Sequence, residues 1–272
     1  MKVSGHCRPC LEGLIKKTVM LSGADNDLVI SSMRLLDKLF HGNATPPGIA
    51  NELLPHIRKK TGVYDPYATI KYREFKDARS FIEKHKCSLD GSFGKLLAIS
   101  ALGNSTDFFT GGSFRWEDLS LSGEVDKVEE AIWNKGSEIL FLGDNVGDFM
   151  FDVPLLRFLE KNGKKVYYAV REQPVQNDLS MEDVHRLGLT EMHPRIISTG
   201  TARVGLARED IAGEVERLWN GGGPVIAKGM GNYETISEFD GERSVIYIMK
   251  IKCPAVAERL GHNIGTYIAQ VR

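Results

Sequence analysis

No apolar run in this 272-residue chain approaches the roughly 20 residues needed to cross a bilayer. The opening stretch, MKVSGHCRPC, lacks the continuous apolar core of a secretion signal, and a cytoplasmic location is the expectation. A dominant charge is missing too. Thirty-five Lys and Arg stand against 36 Asp and Glu, so no overall field recruits nucleic acid or an anionic membrane. A local basic pocket for a small anion stays open. Cysteine is scarce, with only Cys7, Cys10, Cys87 and Cys253, and no disulfide is expected in a reducing compartment. Cys7 and Cys10 form a C-x-x-C beside His6, but no second C-x-x-C or H-x-x-x-H completes a zinc site. Two readings of the pair stand open: half of a metal or redox site joined by Cys87 or Cys253, or small buried residues on a helix. Internal repeats and low-complexity tracts are absent.

What is present is ordinary for a globular protein, with 42% hydrophobic and 26% charged residues. That is enough chain for a substantial core. The first third reads helical. CLEGLIKKTVML and DLVISSMRLLDKLF carry apolar residues at three- and four-residue spacing. Thr45-Pro46 opens a further helix that stops at Gly62. PYATIKYREFKDARSFIEKHK and FGKLLAISALGN continue the pattern. Downstream the texture changes to short apolar runs alternating with helices: SEILFL, KVYYAV, RIIS, PVIAKG and SVIYIMKI. That alternation predicts a mostly parallel sheet covered on both faces. The expected fold is α/β, a Rossmann-like three-layer α/β/α sandwich with an amino-terminal all-helical lobe. The helical lobe spans 1–92 and the sandwich, carrying the site, spans 93–272.

In such sheets ligands bind outside the carboxyl ends of the strands. Four polar loops follow predicted strands: Gly143-Asp144-Asn145, Gln176-Asn177-Asp178, Ser198-Thr199-Gly200-Thr201 and Lys228-Gly229-Met230-Gly231-Asn232. Each alone also fits a turn, and Asp178 with Ser180 fits a helix cap. Lys228 also fits a surface lysine at a strand end. Together their chemistry is complementary. Asp144, Asn145 and Asp178 are hard oxygen donors suited to Mg²⁺ or Mn²⁺. The Ser-Thr-Gly-Thr loop offers hydroxyls and backbone N–H groups, and Lys228 offers a point charge for a phosphate oxygen.

The chain also resembles the family once called domain of unknown function 89, the metal-dependent damage-control phosphatases. The resemblance rests on HCRPC, ALGNSTDF (101–108), GDNVGDFMFD (143–152), PVQNDLSMED (174–183), RIISTGTARVG (195–205), AKGMGNYET (227–235) and KIKCPAVAERLG (250–261), in family order over nearly the whole length. The amino-terminal cysteine pair is similar to the mostly prokaryotic branch. The resemblance implies a divalent metal (Mn²⁺, Mg²⁺, Co²⁺ or Ni²⁺) held by Asp144, Asn145 and Asp178. It implies that Lys228 and Ser198-Thr199-Gly200 meet phosphate, with Asn104, Asp107 and Asn177 around the pocket rim. One departure is visible: Asp148 stands where the family more commonly shows Glu.

The expected activity is hydrolysis of small phosphorylated metabolites, with Asp144, Asp178 and Lys228 as the catalytic set. Val146 occupies the position where aspartyl-phosphate enzymes of the dehalogenase type need a second Asp. A metal-activated water is therefore expected as nucleophile in place of Asp144. Two rivals are carried. One is methyl transfer from S-adenosylmethionine, disfavoured because Gly143 and Gly147 bracket Asp and Asn rather than lying close together. The other is a non-catalytic phosphometabolite-binding protein, which would use the same ligands. The partner expected is a small phosphorylated molecule, with no nucleic acid and no membrane. Tyr64, Tyr67 and Arg115 are candidates for lining the pocket. Neither the individual substrate nor the oligomeric state is encoded legibly.

Overall fold

The computed structural model describes residues 1–89, 91–106 and 114–272. It opens with four helices, α1 (Cys7–Leu21), α2 (Asn26–Leu39), α3 (Pro46–Thr61) and α4 (Ala68–Lys84), followed by α5 (Phe93–Gly103). The local chemistry explains their ends. Asp25 caps α2 by accepting from Asp27 N and Leu28 N. Thr45 caps α3 by accepting from Gly48 N, Pro46 fits its first turn, and Gly62 terminates it in the left-handed conformation.

The remaining elements are β1 (Ser122–Gly123), α6 (Val125–Trp133), β2 (Glu138–Leu142), α7 (Asp148–Lys161), β3 (Lys165–Val170), α8 (Met181–Leu187), β4 (Ile196–Ser198), α9 (Gly213–Asn220), β5 (Val225–Lys228), α10 (Gly229–Ile236), β6 (Ile246–Lys250), α11 (Pro254–Leu260) and β7 (Tyr267–Val271). The strands form one seven-stranded sheet in the order β1-β7-β6-β5-β2-β3-β4. All neighbouring pairs are parallel except β6 with β7. Strand β2 is central. The chain runs outward from it through β3 to β4, then returns to lay β5 and β6 on its other side. The order reverses between β2 and β5, and the crevice for a ligand opens at such a reversal.

Both sheet faces are buried, which is why these strands read as unbroken apolar runs. Ile139 and Phe141 of β2 face one core with α5 and α7. Leu140 and Leu142 face the other with α9, α10 and α11. The result is the expected three-layer α/β/α sandwich. Helices α1 to α3 enclose a third core of their own, into which Val175 of the sandwich inserts. Helix α4 belongs to neither group alone: Phe75, Ala78 and Ile82 join the core of α5 and α7.

Two details differ from the sequence reading. The stretch after Lys228 is no polar loop, because helix α10 begins at Gly229. A last strand, β7, pairs antiparallel with β6. Its TYIAQV stretch is short and follows helix α11, and the sequence reading ended the sheet at SVIYIMKI. No described helix is long and apolar enough to cross a membrane.

Candidate active site at the β2–β5 crevice

The reversal point brings Asp144, just past β2, against Gly229, just past β5. A Cβ on Gly229 would lie 1.9 Å from Asp144 Oδ2, and the residue has φ +77°. Only glycine fits both the turn and the carboxylate. Gly143 is spent in the same way against the Tyr168 ring.

The loop after β3 completes the centre. Asn145 and Asp178 form an isolated antiparallel bridge. Leu179 N donates to Asp144 O at 2.8 Å and Val146 N to Asn177 O at 3.0 Å. The Asp144-Asn145 and Asn177-Asp178 segments therefore lie side by side, and Asn104 reaches the first of them. Asn104 Nδ2 donates to Asp144 Oδ2 at 2.8 Å and to Asp148 Oδ2 at 2.9 Å. Its Oδ1 accepts from Lys250 N at 3.2 Å. Asp107 lies outside the described residues.

Electrostatics set this site apart. Burial, and then the Asp178 and Asp148 charges, raise the Asp144 carboxyl well above its ordinary range. Asp178 is raised as well, by burial, with Arg171 opposing. Carboxylates forced together in this way hold protons unless a cation replaces them. A divalent ion fits the donors: hard oxygens from two Asp and one Asn, with water and substrate oxygens free to complete the shell. A further sign is Asp148 Oδ1, buried with no hydrogen-bond partner. Among the described residues no three His, Cys, Asp or Glu side chains group closely enough to form a metal site by themselves. The expected set has two carboxylates and an amide. Asn145 Nδ2 faces Asp144 Oδ2 at 3.3 Å, and a turn of the amide presents its oxygen instead.

Arg171, which the sequence reading did not single out, anchors the crevice. Its Nε donates to Asp178 Oδ2 at 2.9 Å, Nη1 to Gly205 O at 2.7 Å and Nη2 to Asn232 Oδ1 at 3.1 Å. Asn232 in turn donates to Gly143 O and Lys228 O. The available signal was an Arg directly after the apolar run KVYYAV, at a strand's carboxyl end.

Lys228 sits deeper than a surface lysine or an open phosphate ligand would. It is fully buried, with Nζ 2.7 Å from Asp152 Oδ1 and 3.7 Å from Asp148 Oδ2. It also donates to Ser100 O. Ser100 Oγ and the Tyr168 hydroxyl donate to the two Asp152 oxygens. Lys228 is thus linked to Asp144 through Asp148 and Asn104.

A second lysine beside the site is less deeply buried than Lys228. Lys252, just past β6, is partly buried and donates to Thr106 O at 2.8 Å. Its charge lowers the carboxyls of Asp144 and Glu74. Among the described residues no carboxylate lies within 4.0 Å of its ammonium group.

Ser198 ends the edge strand β4, and Thr199 and Gly200 follow it. Their donors are used locally: Gly200 N to Ser198 Oγ at 2.8 Å, Thr199 N to Val170 O at 2.8 Å and Ser198 Oγ to Glu172. No hydrogen bond among the described residues joins this loop to Asp144, Asp178 or Lys228. Tyr67 is buried against Thr18, Tyr64 is exposed and bonded to Glu182, and Arg115 is exposed beside Glu117. None of the four cysteines, all among the described residues, is in a disulfide. Cys7 is buried, Cys253 packs against the same core, and Cys10 and Cys87 are exposed.

Known proteins place this architecture. The chain is 33% identical to a protein of Pyrococcus horikoshii named a damage-control phosphatase, over 96% of this chain and 94% of the relative. It is 26% identical to an Archaeoglobus fulgidus protein of the same name, over 100% and 99%. A solved structure of a DUF89 family protein from Pyrococcus horikoshii superposes with a TM-score of 0.87 at 30% identity, covering 99% of this chain and 98% of that one. The sequence pattern of the damage-control phosphatase ARMT1-like domain matches residues 3–268. The chain therefore belongs to the damage-control phosphatase ARMT1-like domain family.

Proposed function

We propose that this protein is a divalent-metal-dependent phosphomonoester hydrolase acting on small phosphorylated metabolites. One observation carries the reading: half-buried Asp144 and buried Asp178, from loops 34 residues apart in the chain, share one crevice in which each carboxyl is held above its ordinary range. The names of the relatives support phosphatase chemistry on damaged metabolites. A bound divalent cation would be held by Asp144, Asn145 and Asp178 and would supply Lewis-acid polarisation of a phosphoryl oxygen.

The chain's own residues do the rest. Arg171 fixes the Asp178 carboxylate from behind. Asn104 holds Asp144 and Asp148 in register. Lys252 is the cation that meets the substrate phosphate, because it has charge to spare where Lys228 is already neutralised by Asp152. Preorganised donors of this kind hold charge as it develops on the transferred group. Asp144 or Asp178 orients the attacking water.

Turnover of p-nitrophenyl phosphate with Mn²⁺ or Co²⁺ tests the reading. Binding of inorganic phosphate without hydrolysis under any metal would indicate the non-catalytic alternative. Tight metal-free binding of S-adenosylmethionine would indicate the methyltransferase.

A further inference from the structure

Glu74 comes from the helical lobe, yet its carboxylate is buried at the edge of the active site. One oxygen, Oε2, accepts from Asn177 Nδ2 at 3.1 Å. The other, Oε1, accepts from Thr106 Oγ1 at 3.0 Å. Those partners sit on two separate arms of the centre. Asn177 directly precedes Asp178, and Thr106 is two residues beyond Asn104. A third segment closes on the same side chain, since a Cβ at Gly147 would come within 2.8 Å of Glu74 Cγ. Gly147 precedes α7, whose first residue is Asp148.

Resting on the phosphatase reading above, we infer that Glu74 is a positioning residue: its carboxylate clamps Thr106 and Asn177, and so holds the Asn104 and Asp178 arms in register for turnover. Both partners are donors, so the clamp needs two acceptor oxygens. The ionised carboxylate supplies them as charge-assisted acceptors; a neutral carboxyl keeps one acceptor for the Asn177 amide and turns its O–H onto the Thr106 hydroxyl, losing the charge assistance on both contacts. The surroundings make that ionisation relevant near neutrality. Burial, then the Asp148 carboxylate on α7, push the Glu74 carboxyl up to about 7, against the two donated hydrogen bonds and the Lys252 charge beyond β6. The clamp is therefore closed above that pH and loosened below it. Through this side chain the helical lobe reaches the chemistry.

Glu74→Gln is the permanent imitation of the neutral form. The test measures kcat/KM for p-nitrophenyl phosphate with Mn²⁺ in wild type and Glu74→Gln across the neutral range. The ratio of wild type to variant is expected near unity below about pH 6, climbing above about pH 8 to about 10- to 100-fold, the rate equivalent of one charge-assisted hydrogen bond. Taking the ratio cancels any pH dependence of a metal-bound water shared by both proteins. A ratio that does not vary with pH would overturn the clamp and leave Glu74 as packing. Should Glu74→Gln not fold, Thr106→Val, which removes one donor, must show the same pH-dependent ratio. If wild type hydrolyses no phosphoester, the phosphatase reading fails by itself. Infrared difference spectra then decide the clamp: a neutral-carboxyl band that titrates near neutrality in wild type and is missing from Glu74→Gln supports it, and identical spectra refute it.

Discussion

Lys228 and Asp152 meet at 2.7 Å with neither side chain exposed to solvent. A buried pair of this kind holds the end of β5 to α7, directly behind the carboxylates of the site. Lys228→Ala would strand the Asp152 charge, and removing one partner of a buried pair typically costs about 3–5 kcal/mol. The variant should melt early as well as lose activity. Combining Lys228→Met with Asp152→Leu should restore most of the stability, read by thermal or urea unfolding, but not the activity. A Lys228→Ala protein as stable as wild type would contradict this role.

Gly229 and Gly200 make a controlled comparison. Both have positive φ, +77° and +75°, but a Cβ at Gly200 meets open space while one at Gly229 strikes the Asp144 carboxylate. Gly200→Ala should cost only about 1 kcal/mol of backbone strain. Gly229→Ala should displace Asp144 and lower kcat about 100-fold or more, as small misplacements of reacting groups do. Equal effects of the two substitutions on kcat would argue that Asp144 is not at the reacting centre.

Lys252→Met removes the half-buried cation while keeping its apolar stem. Loss of one preorganised donor typically costs about 10²–10³ in rate, and here part of the loss should appear as a raised KM for phosphorylated substrates. A normal kcat/KM in this variant would return the phosphate to Lys228 or to the Ser198 loop.

Stability of the metal-free protein should fall as pH rises through the neutral range. Glu74 and Glu234 both have carboxyls raised to about 7 by burial. Between the ordinary value of 4.5 and about 7 the folded state binds more protons than the unfolded chain, so the unfolding free energy decreases with pH and levels off above. Melting temperatures recorded with chelator from about pH 5 to about pH 8 check the sign, and Glu74→Gln should flatten the slope. A melting temperature that climbs over this window would contradict it.

The sheet was legible because its strands are unbroken apolar runs that end in polar residues, and parallel order places those ends on one edge. Asp144 and Asn145 stand directly at such an end, Asp178 lies in the loop after β3, and the family resemblance singled out the three together. What stayed hidden depends on contacts between distant segments. Glu74 and Lys71 were not singled out in the helical stretch PYATIKYREFKDARSFIEKHK, yet they sit in the buried stripe with Phe75, Ala78 and Ile82. Charged residues at apolar-stripe spacing were the signal. Lys71 finds Asp65 at 2.7 Å and Asp183 at 2.8 Å, bracing the loop that holds Asp178. The depth of Lys228 was also beyond the sequence, since Ser100 and Tyr168, which complete the Asp152 network around it, lie on separate elements.

The most direct test is p-nitrophenyl phosphate hydrolysis by the purified chain with Mn²⁺ or Co²⁺, with chelator added, and by Asp144→Ala. Hydrolysis that needs the metal and disappears in Asp144→Ala is the expected result. Hydrolysis that survives both chelator and Asp144→Ala would contradict a cation held by that carboxylate.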